Sequence, residues 1–207
     1  MDSLNKLIEL FRQFPGIGPR QARRFVYFLL SQTNAYRDLL VKNIQELKDT
    51  IEICKSCYRY FPVGKIQSNE CSICRDKNRE NGMLLVVSRD VDYENIEKSR
   101  SFVGKYFVLG GNIPILEKEP ESKIRSRELV ALVEARAKNK TLKEVILALN
   151  VTPEGENTEM FLKKSLTPLS EKYAFKISEL GRGLSTGLEL EYSDAETIKN
   201  ALLNRHS

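Results

Sequence analysis

The stretch Cys54-Lys55-Ser56-Cys57 and, after a polar loop, Cys71-Ser72-Ile73-Cys74 holds every cysteine of the chain and divides it near one quarter of its length. It reads as two CxxC pairs. Each pair sets two thiolates on one tight knuckle, and two knuckles close a tetrahedron around Zn²⁺. The spacing between the pairs is slightly tighter than the usual zinc-ribbon range of roughly 15 to 20 residues, but loop length is the soft variable. The competing readings are two disulfides or a thioredoxin-like redox pair. Against the first, nothing N-terminal resembles a secretory signal; against the second, a redox motif needs only one CxxC. A fully thiolate-ligated zinc leaves no open position for water, so its predicted role is structural. Pro62 and Gly64, and the run Gln67, Ser68 and Asn69, supply the turn chemistry that such knuckles need.

Composition bounds the rest. The 207 residues allow one large domain or two small ones, and 41% hydrophobic with 29% charged residues is the balance of a soluble chain with a core. No apolar run is long enough to span a bilayer and no targeting segment is evident, so the expectation is a cytoplasmic protein without a membrane partner. The 33 Lys and Arg exceed the 28 Asp and Glu, which is compatible with a polyanionic partner without establishing one. The only histidine, His206, stands at the C-terminus, which argues against histidine-based catalysis.

Upstream of the cysteines, Leu4, Leu7, Ile8, Leu10 and Phe11 recur at helical spacing until Phe14-Pro15-Gly16-Ile17-Gly18-Pro19. Pro19 suits a first helical position, and Gly16 and Gly18 are read as letting the backbone turn on either side of Ile17. Helix, Gly-apolar-Gly hairpin and helix form a helix-hairpin-helix signature, which exposes backbone N–H groups at a helix N-terminus where the dipole favours phosphate. Arg20 and Arg24 lie one turn apart with Arg23 beside them, and Ala22 is small enough for close packing. The candidate DNA-contact set is therefore Gly16, Gly18, Arg20, Arg23 and Arg24, touching backbone rather than bases; an ordinary αα-hairpin with a solvated basic face is the alternative. Residues 35–53 form a third amphipathic stretch, with Leu39, Leu40, Ile44, Leu47 and Ile51 on one stripe, packing in a core or against another subunit.

Downstream, residues 75–82 read as a linker. Met83–Val87 and Lys105–Leu109 read as buried strands flanking a polar helix over Asp90–Arg100, with Val91, Ile96 and Ser99 inward. Gly110-Gly111 closes this βαβ unit, which implies a right-handed parallel crossover. A helix over Ser126–Lys138 and a strand over Glu144–Asn150 repeat the unit, as do a helix around Asn157–Ser170 and a strand around Phe175–Leu180. A last helix is expected after a capping box of Ser193 and Glu196. The second half thus predicts an α/β domain with a small parallel sheet whose site lies at the strand C-termini.

Several motifs compete there. Gly183-Leu184-Ser185-Thr186-Gly187 spells a nucleophile elbow, but it lacks a histidine base and reads better as a surface loop. No Walker A loop occurs, so Leu188–Tyr192 reads as a strand of alternating pattern rather than a Walker B acid. Asp90, Asp92, Glu154 and Glu156 are candidate Mg²⁺ ligands; an acidic helix N-terminus explains Glu154 and Glu156 equally well.

The order of parts closely resembles the RecR family of bacterial recombination proteins. The resemblance rests on Phe14–Arg20 with Arg24, the four cysteines, Tyr106–Gly111, Glu144–Ala148, Glu154-Gly155-Glu156, and Arg182-Gly183-Leu184 followed by Gly187 and Leu190-Glu191-Tyr192, and it spans nearly the full chain. It implies a mixed α+β and α/β multidomain protein: a helix-hairpin-helix domain over 1–53, a four-cysteine zinc motif over 54–76, a Toprim-like domain over 82–180 and a C-terminal loop and helix over 181–207. It further implies a ring-shaped homo-oligomer, a tetramer, that clamps DNA without regard to sequence. Such proteins work with RecO, and in many bacteria RecF, to load the recombinase RecA on gapped DNA. By the same resemblance Arg20 and Arg24 take the DNA-contact role and Cys54, Cys57, Cys71 and Cys74 the zinc role. Two departures stand out. Ser88 occupies the end of the first Toprim strand, where the pattern has a glutamate, which argues against Mg²⁺-dependent cleavage or nucleotidyl transfer and for a non-enzymatic protein. The loop Asn112–Pro120 is more charged than the family's and lacks its glycine. The other function classes are a Mg²⁺-dependent Toprim nuclease or nucleotidyl transferase, and a zinc-stabilised adaptor that binds only protein.

Overall fold

The computed structural model describes residues 2–64, 68–181, 184, 187 and 189–203. The chain forms two compact units, Met1–Glu52 and Ile53–Ser207.

The first unit is helical. In α1 (Ser3–Arg12) the N-cap Asp2 accepts from the Asn5 N–H at 2.8 Å. The second helix, α2 (Pro19–Ser31), starts on the proline as expected, and Thr33 caps α3 (Asn34–Thr50). Ile8, Ala22 and Val26 are the buried centre, with Leu4, Leu7, Phe11 and Ile17 packed around them. Arg37 closes the C-terminus of α2 by donating to the carbonyls of Leu29 and Gln32 at 3.0 and 2.7 Å. No residue of α3 is buried, and Leu39, Ile44 and Leu47 each remain 58% exposed. The third stretch ends earlier than its pattern suggests, because Ile51–Ile53 leaves the helix as strand β1 and pairs with β2 (Tyr60–Pro62).

The second unit is built on a four-stranded, all-parallel sheet of order β4-β3-β5-β6, formed by β3 (Glu80–Val87), β4 (Gly104–Val108), β5 (Glu144–Ala148) and β6 (Lys176–Glu179). The central strand β3 is apolar on both faces for the reason its sequence indicates. Leu84 and Val86 enter one cluster with Leu129, Val133, Leu162 and Leu166 of α6 (Ser126–Lys138) and α7 (Pro153–Tyr173). Leu85 and Val87 enter another with Tyr93 of α5 (Asp90–Ser99). In α5 Ile96 packs inward as expected, but the buried residue is Tyr93, while Val91 is 61% exposed and Ser99 is exposed. An aromatic ring stacked edge-on against Tyr106 at 4.8 Å buries more area than the valine would.

Four further expectations are revised. Helix α7 begins at Pro153 rather than near Asn157, because Thr152 caps it by accepting from the Gly155 N–H at 3.2 Å. Residues 75–82 are no linker: α4 (Ser72–Arg75) ends there, β3 begins at Glu80, and Arg79 pairs with Glu97 and donates to the Gly104 carbonyl at 3.2 Å. Leu190–Tyr192 is a 3₁₀ turn rather than a strand, and α8 (Ala195–Leu203) is capped by Asp194, which accepts from the Thr197 N–H at 2.9 Å, rather than by Ser193. Apart from Leu184 and Gly187, the Gly183–Gly187 stretch lies outside the described residues, as do Gln67 and His206.

The cysteine segment covers the edge of the sheet. Cys57 O accepts from the N–H of Val108 on the edge strand β4 at 2.8 Å, Tyr58 meets Phe107 at 5.3 Å, and Ile73 packs on the opposite cluster. Lys105 is 4% exposed, and its ammonium donates to the carbonyls of Ile73, Cys74 and Asp76 at 2.9, 3.1 and 2.7 Å. An edge that would otherwise offer unpaired backbone groups is thereby closed.

Candidate functional site

Three places carry chemistry. In the first unit, the turn from Phe14 to Ile17 is closed by the Ile17 N–H on the Phe14 carbonyl at 3.1 Å, with Pro15 and Gly16 at its centre. Gly16 has φ +74°, the left-handed geometry that a type II turn demands at its third position. Gly18 differs from its expected role. Its φ is −82°, which any residue adopts, and it is the N-cap of α2. A side chain there would meet nothing within 4 Å, so glycine leaves the first N–H groups of α2 open to solvent. Arg20, Arg23 and Arg24 are exposed on the turns that follow, and Ala22 is fully buried against α1. The arrangement presents a helix N-terminus and three guanidinium groups to whatever anion approaches.

The second place is the cysteine cluster. The ligand atoms of Cys54, Cys57, Cys71 and Cys74 all lie within 4.8 Å of one another, and among the described residues this is the one group of three or more metal-ligand side chains so assembled. The Cys57 and Cys71 sulfurs are 3.7 Å apart. Zn–S bonds of about 2.3 Å in a tetrahedron require sulfurs about 3.8 Å apart, so the donor set fits zinc in kind, number and size. The Cys71 N–H donates to Cys54 Sγ at 3.3 Å, a contact that favours thiolate. Hydrogen bonding among the four splits them. Cys57 brings Cys54 down to about 6 and Cys54 holds Cys71 well below the ordinary thiol range, while contact with Cys54 pushes Cys57 and Cys74 far up. All are buried or half-buried, and a metal held by them is closed to water.

The third place is the C-terminal edge of the sheet between β3 and β5, where the strand order reverses. Ser88 is fully buried there, and its hydroxyl donates to Asn112 Oδ1 at 2.6 Å. The other candidate Mg²⁺ ligands are not gathered around it. Asp90 Oδ1 accepts from the Tyr60 N–H at 2.8 Å, and Asp92 Oδ2 accepts from the Arg89 N–H at 3.0 Å, so each closes backbone at the start of α5 or on β2. Glu154 and Glu156 are exposed in the first turn of α7, and Gly155 between them is buried so tightly that a Cβ would stand 1.9 Å from the Asn150 carbonyl oxygen. The Glu-Gly-Glu pattern is thus a helix start with acidic residues at its positive pole and a glycine imposed by close packing. The loop Asn112–Pro120 is held to α7: the Ile113 N–H donates to Thr158 Oγ1 at 2.8 Å, and Asn157 Nδ2 donates to the Ile113 and Pro114 carbonyls, each at 3.2 Å.

Sequence reasoning missed the cation held against the cysteine segment: Lys105 sits inside an apolar strand, a position that carries no motif.

Comparison with known proteins bears on the whole chain. The family described as "RecR, helix-hairpin-helix" matches residues 4–48, and the Toprim domain family matches residues 82–180. The recombination protein RecR of Desulforudis audaxviator (strain MP104C) is 34% identical over 204 residues, covering 98% of this chain and 96% of that protein. Those of Bifidobacterium animalis subsp. lactis (strain AD011) and Desulfatibacillum aliphaticivorans are each 35% identical, covering 98% and 99% of this chain and 95% and 96% of theirs.

Proposed function

The chain belongs to the RecR family of recombination proteins, and on that premise we propose that it is a non-enzymatic, sequence-independent DNA clamp of recombinational repair. The observation that carries this reading is the open N-terminus of α2 behind Gly18, with Arg20, Arg23 and Arg24 exposed beside it. Such a surface neutralises phosphates and reads no bases. The four-cysteine cluster holds structural zinc in this reading, and its sulfur spacing supports that.

The clamp is a homo-oligomer, a tetramer by family resemblance. Support comes from α3, where Leu40, Ile44 and Leu47 share one face and Ile44 and Leu47 are more than half exposed, an apolar stripe suited to self-association. The Toprim-like sheet serves as a surface for a RecO-like partner, and for a RecF-like one where it exists, rather than as a catalytic centre. Ser88 in place of a carboxylate, Asp90 bonded to the Tyr60 N–H on β2 and Asp92 engaged in capping α5 speak against preorganised Mg²⁺ ligands.

The test is duplex-DNA affinity against salt by fluorescence anisotropy, for the native chain beside Arg20→Glu, Arg24→Glu. Expected is a steep salt dependence for the native chain that is flattened or abolished in the variant. Unchanged binding would move the DNA site elsewhere. Mg²⁺-dependent cleavage of a labelled duplex would overturn the non-enzymatic reading.

A further inference from the structure

The solvent face of α2 carries more than charge. At about 100° per residue, Arg20, Arg24 and Tyr27 fall on the side of the helix turned away from the buried Ala22 and Val26, with Arg23 at the edge of that side. Tyr27 follows Arg23 by four residues and Arg24 by three, so both guanidinium groups are its neighbours on the helix surface, and Arg20 stands two turns earlier in the same stripe. The helix contains no acidic residue, and among the described residues none of the three arginines makes an ion pair; Arg24 reaches only the Gln21 side chain, at 3.4 Å.

Tyr27 is unlike the other aromatic residues of the helical unit. Phe11 packs edge-on against Phe14 and Phe25, and Phe28 against Tyr36, at centroid distances of 5.5 to 5.9 Å. Tyr27 has neither a ring contact nor a hydrogen bond among the described residues, and it is 60% exposed. A solitary exposed apolar side chain calls for no explanation. An uncovered ring set among three unpaired cations does, because a cationic stripe recruits phosphate, and each nucleotide so recruited brings a base with a flat face.

We propose that Tyr27 stacks on an unpaired base of DNA held by these arginines, a reading that rests on the DNA-contact role given to them above. A single strand is then gripped twice, at phosphate by guanidinium and at base by the ring. A duplex, whose bases are paired and stacked on one another, is gripped at phosphate alone. Stacking needs only a π-face, which every base has, so the contact adds preference for a single-stranded stretch without adding sequence preference. A second copy of this chain packed on the stripe about a two-fold axis would set arginine against arginine, which disfavours self-association there.

The test uses the full chain and compares oligothymidylate with a duplex of the same length by fluorescence anisotropy. Tyr27→Ala should lose about tenfold in affinity for the single strand and less than about threefold for the duplex, and Tyr27→Phe should stay within about twofold of native on both. The Arg20→Glu, Arg24→Glu double variant should weaken on both. The chain has no tryptophan, so Tyr27→Trp places a single indole at this position; its fluorescence should be quenched by oligothymidylate and hardly altered by duplex, which a structural role for the side chain would not produce. Equal losses on the two DNAs from Tyr27→Ala, native affinity of that variant for the single strand, or an indole blind to oligothymidylate overturns the proposal. A loss on both that accompanies a smaller assembly by light scattering assigns Tyr27 to contact between copies of this chain and overturns it as well. No binding of either DNA by the native chain, or native binding by the double variant, overturns the hairpin reading and the stacking proposal with it, whereas failure of the Tyr27 variants alone leaves the hairpin reading in place.

Discussion

Ser88 Oγ and Asn112 Oδ1 stand 2.6 Å apart at the end of the central strand, so the position at which a Toprim enzyme presents a carboxylate is here a neutral, satisfied hydrogen bond. The pair joins the end of β3 to the loop after β4 and places a hydroxyl, not a carboxylate, at that point. Replacing Ser88 by Ala strands the Asn112 oxygen and should cost about 1–3 kcal/mol, read as a lower urea midpoint with unchanged slope. Replacing it by Glu buries a carboxylate against an amide oxygen and should cost more than about 3 kcal/mol. If Ser88→Glu instead folds with native stability, the pocket is wetter than the fully buried Ser88 indicates.

Gly18 and Gly155 are glycines for opposite reasons, and substitution separates them. Gly155→Ala drives a Cβ to 1.9 Å from the Asn150 carbonyl oxygen, so the start of α7 must shift, at a cost of about 2 kcal/mol or more. Gly18→Val meets nothing within 4 Å at a φ of −82° and should leave stability within about 1 kcal/mol of native. If phosphate docks on the N-terminus of α2, the same Gly18→Val chain should lose about tenfold in duplex affinity by anisotropy, because the side chain fills the approach. Thermal melts and binding curves on both variants test the two roles independently.

What is legible in the sequence follows from which forces are local. The doubly buried strands are readable because Leu84–Val87 is apolar at every position, and the hairpin because Pro15, Gly16 and Pro19 each fix a backbone angle. The four ligands are readable because CxxC spacing is set by the knuckle itself. The inward face of α5 escapes pattern reading because Tyr93 wins its place by stacking on Tyr106 and reaching Arg59, partners distant in sequence. Gly18 suggests a turn it does not make, since the same letter serves a positive φ and an empty approach. Lys105 is invisible for a related reason: a buried ammonium is justified only by the carbonyls that accept from it, and those are distant in sequence.

If the cysteines hold zinc as proposed, removing it should loosen one module and spare another. Cys57 O holds the Val108 N–H at 2.8 Å and Cys54 O holds the Tyr58 N–H at 2.9 Å, and both contacts depend on the closed knuckles. Structural zinc contributes on the order of 10 kcal/mol to such segments. With a strong chelator, amide exchange at Val108, Tyr58 and Cys71 should quicken by about a thousandfold or more, while Ala22, bonded to Gly18 O within α2, keeps its protection. Uniform loss of protection across both units would show instead that the metal stabilises the whole chain as one cooperative body.

Lys105 ties this module to the sheet, and its removal tests that tie without touching a ligand. An ammonium at 4% exposure is tolerable because three carbonyls, of Ile73, Cys74 and Asp76, accept its three donors. Lys105→Met has a similar shape and no donors, so the three carbonyls lose their partner at once, and the cost should reach about 3 kcal/mol or more. The cysteines themselves remain, so zinc content should stay near that of the native chain. What changes is the edge: with the knuckles detached, β4 offers free N–H and C=O groups along a strand with Phe107 and Val108 in it. The expected phenotype is therefore a zinc-loaded protein with a lower melting temperature that self-associates on mild heating, read by light scattering beside metal analysis. A Lys105→Met chain that stays dispersed and melts like the native one would mean that the Cys57–Val108 hydrogen bond and the Tyr58–Phe107 contact hold the edge closed without the lysine.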